Sequence, residues 1–394
     1  MIRVAFAPGE WMSWLGGLHY CRNLLRAVVS DPERELDPVL VLGTRLDHSR
    51  LDGFPELPIV RTAIFDRAHP AWAARAAIRR ILPRDLLFER LLSAEGARAL
   101  SHSTQLWPAR GIAMLGWIPD FQHRRLPELF SRAERRRRDR LFARICGRST
   151  RVIVSSECCR SDLAAFDPDA AARARVLRFV AEPPPAEALP SPGELLARYE
   201  IGSDFFLVAN QFWVHKNHTL VLEALRVLRD RGTRALVVAT GEAHDWRRPD
   251  HFSSLMNRAE ELGIADLFRP LGVVPYPDVA ALMRDSIAVV NPSRSEGWST
   301  PVEEAKSLGK RVLLSDIDVH REQDPPGGVL FDPDDAEALA DAMLRLLNQR
   351  DPAADGGLES EARAALPGRR LDFARVYAAI VAEAVGIESR ANSG

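Results

Sequence analysis

From residue 205 to residue 347 the chain alternates short apolar runs with stretches whose apolar residues recur at helical spacing, a rhythm that few architectures accept. The runs at residues 205–209, 235–240, 267–274, 287–291 and 311–315 read as strands, and residues 219–231, 252–262, 277–284, 301–308 and 336–347 read as helices. Strands joined through helices pair in parallel, so this half is expected to form a doubly wound α/β sheet.

The first half follows the same rule. An apolar run at residues 2–7, a loop at 8–17, then Leu18, Cys21, Leu25 and Val28 at helical spacing, and a second run at 38–42 make a βαβ unit. Further strands are expected at 112–118, 151–155 and 175–180. The pattern breaks at Glu182-Pro-Pro-Pro and again at Pro190-Ser-Pro-Gly, sequence that continues neither a helix nor a central strand. The expected organisation is therefore a first α/β domain at 1–182, a linker at 183–204, a second domain at 205–368, and a C-terminal helix and tail at 369–394 that packs back on the first domain. A length of 394 residues with 46% apolar and 27% charged side chains supports two such cores. Charge divides in the same way, +7 over residues 1–200 and −8 over the rest.

No run reaches the roughly 18 to 20 apolar residues that cross a bilayer, and the N-terminus lacks the features of a signal peptide, so a cytoplasmic protein is expected. The cysteines Cys21, Cys146, Cys158 and Cys159 have no metal-ligand spacing and read as reduced thiols. Of the 53 basic residues only Lys216, Lys306 and Lys310 are lysines, which makes each lysine position worth inspecting.

Ligands of open parallel sheets bind beyond the carboxyl ends of strands, where loops run into helix N-termini that favour anions. The loop Asn210-Gln-Phe-Trp-Val-His-Lys-Asn-His218 follows one such strand, and with Asn217 or Thr219 capping the next helix, Lys216 stands beside its positive end. A phosphate there would satisfy both; the plainer reading is a solvated lysine. In the loop Asn291-Pro-Ser-Arg-Ser-Glu-Gly-Trp-Ser-Thr-Pro-Val-Glu-Glu304, Thr300 reads as N-cap, Pro301 as the first helical residue and Glu303 as the return acceptor of a capping box. Glu304 is then left for a ligand, with Glu296 on the loop above, and two carboxylates beside an anion site make sense as acceptors for sugar hydroxyls. Gly16-Gly17 in the first strand-to-helix loop permits close backbone approach or simply makes the turn. It is not G-x-G-x-x-G, which disfavours a nicotinamide enzyme.

Together these loops resemble those of the family-four glycosyltransferases, retaining enzymes of the GT-B fold. The segment Glu296-Gly-Trp-Ser-Thr-Pro-Val-Glu-Glu304-Ala-Lys-Ser-Leu-Gly309 carries the family's two glutamates, and His-Lys-Asn around Lys216, Gly16-Gly17 and Leu330-Phe-Asp-Pro333 extend the likeness along the chain. The resemblance implies two Rossmann-like doubly wound domains facing a central cleft. It implies that Lys216 binds the diphosphate of a nucleotide sugar, that Glu304 holds the ribose, and that Glu296 with Gly297, Trp298, Ser299 and Thr300 holds sugar and diphosphate. Gly16 and Gly17 would close over the donor, and Val274 would lie against the base. Two positions depart from the family pattern: Gln211 stands where an arginine is usual, and Pro119 where a histidine is usual. The second departure leaves Asp120 and His123 to share the sugar- and acceptor-facing role.

The expected activity is transfer of a hexose from a nucleoside-diphosphate sugar to a glycan or lipid-linked glycan in cell-surface polysaccharide assembly, with no cofactor and no metal. The departing diphosphate would be stabilised by Lys216 and helix N-termini. A GT-B epimerase or phosphorylase, or a non-catalytic sugar-nucleotide-binding protein, are the alternatives. Arg132–Arg148 holds eight arginines against Glu134 and Asp139. Crowded at 135 to 138, they cover all sides of a helix, which reads as a solvated helix or as docking on anionic lipid. Nucleic acid is not expected as a partner, because no fold for it accompanies the run.

Overall fold

The computed structural model describes residues 1–9, 14–82, 84–202 and 204–386, which form two compact units. The first comprises Met1–Phe121, Arg132–Val180 and the chain from Gly368; the second comprises Gln122–Ser131 and Ala181–Pro367. Among the described residues, no helix is long and apolar enough to cross a membrane.

The first unit is built on seven parallel strands: β1 (Ile2–Phe6), β2 (Leu36–Gly43), β3 (Ile59–Thr62), β4 (Ala99–Ser101), β5 (Ala113–Ile118), β6 (Arg151–Val154) and β7 (Ala174–Val176). They lie in the order β3-β2-β1-β4-β5-β6-β7. Over their carboxyl ends sits an aromatic cluster in which Tyr20 stacks on Trp117 at 4.2 Å between centroids and its hydroxyl meets His102 Nε2 at 2.9 Å. His102 is wholly buried, and loss of hydration pushes its pKa down to about 3. Phe373 and Tyr377, from the last helix of the chain, complete this cluster.

The second unit has six parallel strands: β8 (Phe205–Ala209), β9 (Leu236–Thr240), β10 (Phe268–Gly272), β11 (Val289–Asn291), β12 (Val312–Ser315) and β13 (Gly328–Phe331). Their order is β10-β9-β8-β11-β12-β13, so the direction of winding reverses between β8 and β11. Side chains of β8 alternate between two cores: Phe206 and Val208 pack with the helix His218–Asp230, Phe205 and Leu207 with Ala281, Val302 and Ala305. All four are buried, as a central strand covered on both faces requires.

Several expectations change. Residues 183–204 are no plain linker: Ser191 and Glu194 form a capping box that starts the helix Pro192–Arg198, and its Leu195 is buried in the second unit's core. Gln122–Ser131, inside the expected first domain, belongs to the second unit. Strand β7 ends at Val176 and not at 180. The last helix spans Pro352–Ala384 and runs through Pro367, where the expected pattern began only at 371. β3, β4 and β13 were not expected; each is short, and β3 and β13 lie at sheet edges and are only partly buried, so the apolar signal is weak.

Candidate active site

Doubly wound sheets bind ligands where the strand order reverses, and in the second unit the loops after β8 and β11 meet at that point. The β8 loop passes through a single turn of 3-10 helix, Val214–Lys216, before the helix His218–Asp230; the β11 loop ends in the helix Thr300–Leu308. Backbone joins the two loops, Arg294 N–H donating to the His215 carbonyl at 2.8 Å. Their side chains then close the gap: Lys216 Nζ donates to Glu296 Oε1 at 2.5 Å, with the two side chains only 9% and 11% exposed. The sequence thus placed its key lysine and first loop glutamate in one ion pair.

Beneath this pair a buried polar network sets the loop shape. Asn210 Nδ2 donates to Asn291 Oδ1 at 3.3 Å, Ser293 Oγ donates to the same oxygen at 2.7 Å, and Asn291 Nδ2 donates to Ser299 Oγ at 2.6 Å. Gln323 clasps the helix entrance from the far side: its Oε1 accepts from Ser299 N–H at 3.1 Å and its Nε2 donates to the Ser299 carbonyl at 3.0 Å. These tertiary bonds replace the local cap expected there. Ser299, not Thr300, is the N-cap, it makes no side-chain capping bond, and Thr300 is the first helical residue. Glu303 accepts from Gln323 Nε2 at 3.3 Å instead of closing a capping box. Glu304 lies on the same turn and is buried, at 7% exposure, and Gly297 and Trp298 are buried as well.

The β8 side is held comparably. Asn217 is the N-cap with a left-handed backbone, φ 57°, and makes no capping bond; its Nδ2 donates instead to the Pro333 carbonyl at 2.9 Å, tying the loop after β13 to the site. Asp245, 1% exposed, accepts from Val214 N–H at 3.2 Å and from Arg247 Nε at 2.9 Å, so it fixes the start of the turn that carries Lys216. Gly241 has φ 141°, and a Cβ there would stand 2.4 Å from the Asn210 carbonyl oxygen, so only glycine lets the β9 loop pass this close. His320 is fully buried. Its Nδ1 donates to the Ser315 carbonyl at 2.9 Å, and burial lowers its pKa, with Glu296 and Lys216 opposing each other as smaller influences. Asn210, Gly241, Asp245, His320 and Gln323 escaped the sequence reading. Only the glycine directly after a strand gave a signal that could have been used.

Gln211 is half-buried at the head of the β8 loop, and Val274 is half-buried after β10, against the core that contains Val289 and Val302. Gly16 and Gly17 belong to the first unit and lie within the first turn of the helix Leu15–Ser30, not in the loop before it; residues 10–13 of that loop lie outside the described residues. A Cβ on Gly16 would meet the Trp14 indole nitrogen at 2.9 Å, so the glycine accommodates that ring. Asp120 is half-buried just past β5 in the first unit. His123 is buried in the second unit, edge-on to Phe130 at 6.3 Å.

Two parallel sheets with a polar, lysine-bearing site at a switch point define a two-domain α/β protein of the GT-B fold. Residues 199–363 match the family Glycosyl transferases group 1. The chain is 28% identical over 143 residues to the O-antigen chain mannosyltransferase RfbU of Salmonella typhimurium, covering 36% of this chain and 38% of that one. It is 27% identical over 164 residues to the O-antigen chain mannosyltransferase B of Escherichia coli, 41% of each. The match thus spans about two fifths of the length of these curated relatives. The crystal structure of Anabaena Alr3699/HepE in complex with UDP superposes with a TM-score of 0.67 at 16% identity, over 97% of this chain and 100% of that one, a likeness of fold.

Proposed function

We propose that the protein is a retaining hexosyltransferase that moves a sugar from a nucleoside diphosphate to a glycan or lipid-linked glycan at the inner face of the membrane, in cell-surface polysaccharide assembly. The observation that carries the reading is the Lys216–Glu296 pair at the switch point of the second sheet. A diphosphate arriving there would take over Lys216 and release the Glu296 carboxylate to accept hydroxyl hydrogen bonds from the attached sugar. Glu304, on the helix Thr300–Leu308 that follows Glu296, would receive the ribose. Cleavage of the sugar–phosphate bond leaves positive charge at the anomeric carbon and negative charge on the departing oxygen. Lys216 and the N-terminus of the helix Thr300–Leu308 stabilise that oxygen, which then takes the acceptor's proton.

The relatives named as O-antigen mannosyltransferases support a polysaccharide acceptor. A thermal-shift panel of UDP, GDP, dTDP and ADP should single out one base, since stabilisation follows ligand concentration over affinity. Incubation with the matching sugar nucleotide should yield a new glycoside and free nucleoside diphosphate, and Lys216→Ala should lower kcat/KM by about 100- to 1,000-fold. An isomerised sugar nucleotide, or undiminished turnover in that variant, would overturn the reading. With the leaving-group charge met by Lys216 and the helix end, activity is expected to be the same in EDTA as without it; loss that added divalent cation restores would refute that part.

A further inference from the structure

The helix Arg132–Arg148 in the first unit does not spread its charge evenly, as the sequence suggested. Arg137 and Arg138 are bound to Glu134, whereas Arg132, Arg136, Arg140 and Arg144 recur every four residues along the exposed side. Such spacing makes one row along a helix. Among the described residues none of these four has a carboxylate partner; Arg140 and Arg144 instead donate through Nε to the carbonyls of Arg136 and Arg140, at 3.2 and 3.3 Å. Arg226, Arg231, Arg234 and Arg258 of the second unit, by contrast, each meet an acidic side chain.

A second helix, Pro70–Ile81, adds to the same patch. Arg79 and Arg148 both lie over the Trp107 ring, 4.6 and 3.6 Å from its centroid, which brings the C-terminal ends of the two helices together. Directly beyond Arg79 come exposed Arg80, then Ile81 at 82% and Leu82 at 40% exposure. A row of uncompensated guanidinium groups beside two projecting aliphatic side chains matches a surface of anionic headgroups over hydrocarbon. Nucleic acid phosphates would suit the arginines but give Ile81 and Leu82 nothing to enter.

We propose that this face of the first unit docks on an anionic lipid surface, the arginine row against headgroup phosphates and Ile81 with Leu82 in the interface. The proposal stands apart from the transfer reaction. Vesicle binding reads the one and turnover of a soluble acceptor reads the other, so either can fail alone.

The test is sedimentation of the full chain with phosphatidylcholine vesicles and with phosphatidylcholine–phosphatidylglycerol vesicles, at low and high salt. Binding is expected only to the anionic vesicles, with release by salt. Arg136→Ser/Arg140→Ser/Arg144→Ser should weaken it about a hundredfold, from about 1 kcal/mol per cation at such a surface. Ile81→Ser should weaken binding in a way that salt does not mimic, and Arg226→Ser/Arg231→Ser/Arg234→Ser, an equal charge change on the second unit, should bind like the unaltered protein. All these positions are partly or fully exposed, and unchanged thermal unfolding of each variant would verify the fold. Equal binding to neutral vesicles, undiminished binding by the first triple variant, or retention of an oligonucleotide with no vesicle binding would each overturn the proposal.

Discussion

Lys216 and Glu296 are nearly dehydrated and in contact, a situation in which the two partners respond unequally to single and paired changes. Removing either one strands the other's charge in the interior, at a cost of about 3–5 kcal/mol, whereas apolar side chains of similar size at both positions come close to neutral. Lys216→Met and Glu296→Leu alone are therefore expected to shift urea midpoints strongly, and the double variant to recover most of the stability with none of the turnover. A double variant as unstable as the sum of its parents would show that the pair is not coupled. Both residues were legible in the sequence because each sits in a strand-loop-helix setting that restricts what a charged group can do there. Thr300 and Glu303 were misread for the converse reason: a capping box is a local pattern, and here Gln323, twenty residues further on, supplies the bonds that the pattern assumes are local.

Among elements, the order of helices and strands in the second unit could be read because Phe205–Ala209 and its neighbours are buried on both faces and so stay apolar throughout. The short edge strands β3 and β13 lack that burial and left little trace. What no periodicity reveals is how closely one loop passes another. At Gly241 the approach leaves no room for a methyl group, and the backbone is held at φ 141°. Gly241→Ala should cost about 1–3 kcal/mol of stability from backbone strain alone, and it should displace the β8 loop and with it Lys216. The check is a donor KM that rises while Thr219→Ala, exposed on the next helix, leaves it unchanged; equal KM values in both variants would remove Gly241 from the site's support.

At the scale of the whole molecule, buried imidazoles link stability to pH in both units. His102 in the first and His218 in the second are held at about 3 by burial, and His19 at about 4; the ordinary value is 6.5. Below about 6.5 the unfolded chain takes up protons that the folded chain refuses, so stability must fall as pH falls. Carboxylates held below their usual range, such as Glu383 beside Arg175, push the same way, but only below about 4.5. Between those limits each buried ring should cost about 1.4 kcal/mol per pH unit, measurable by urea titration across the acid range. A flat profile there would mean that these rings are not neutral and enclosed.

The first unit draws Phe373 and Tyr377 from the final helix, and Arg175 pairs with Glu383 of that helix as well. Its other pieces lie more than 180 residues earlier in the chain, so the part that is synthesised first is the last to be finished. A ribosome must synthesise the chain through residue 377 before that sheet gains its closing aromatic rings, by which point the later-made unit has its six strands in hand. Termination before residue 373 would thus spoil the first unit, leaving an open apolar surface on strands that were translated intact.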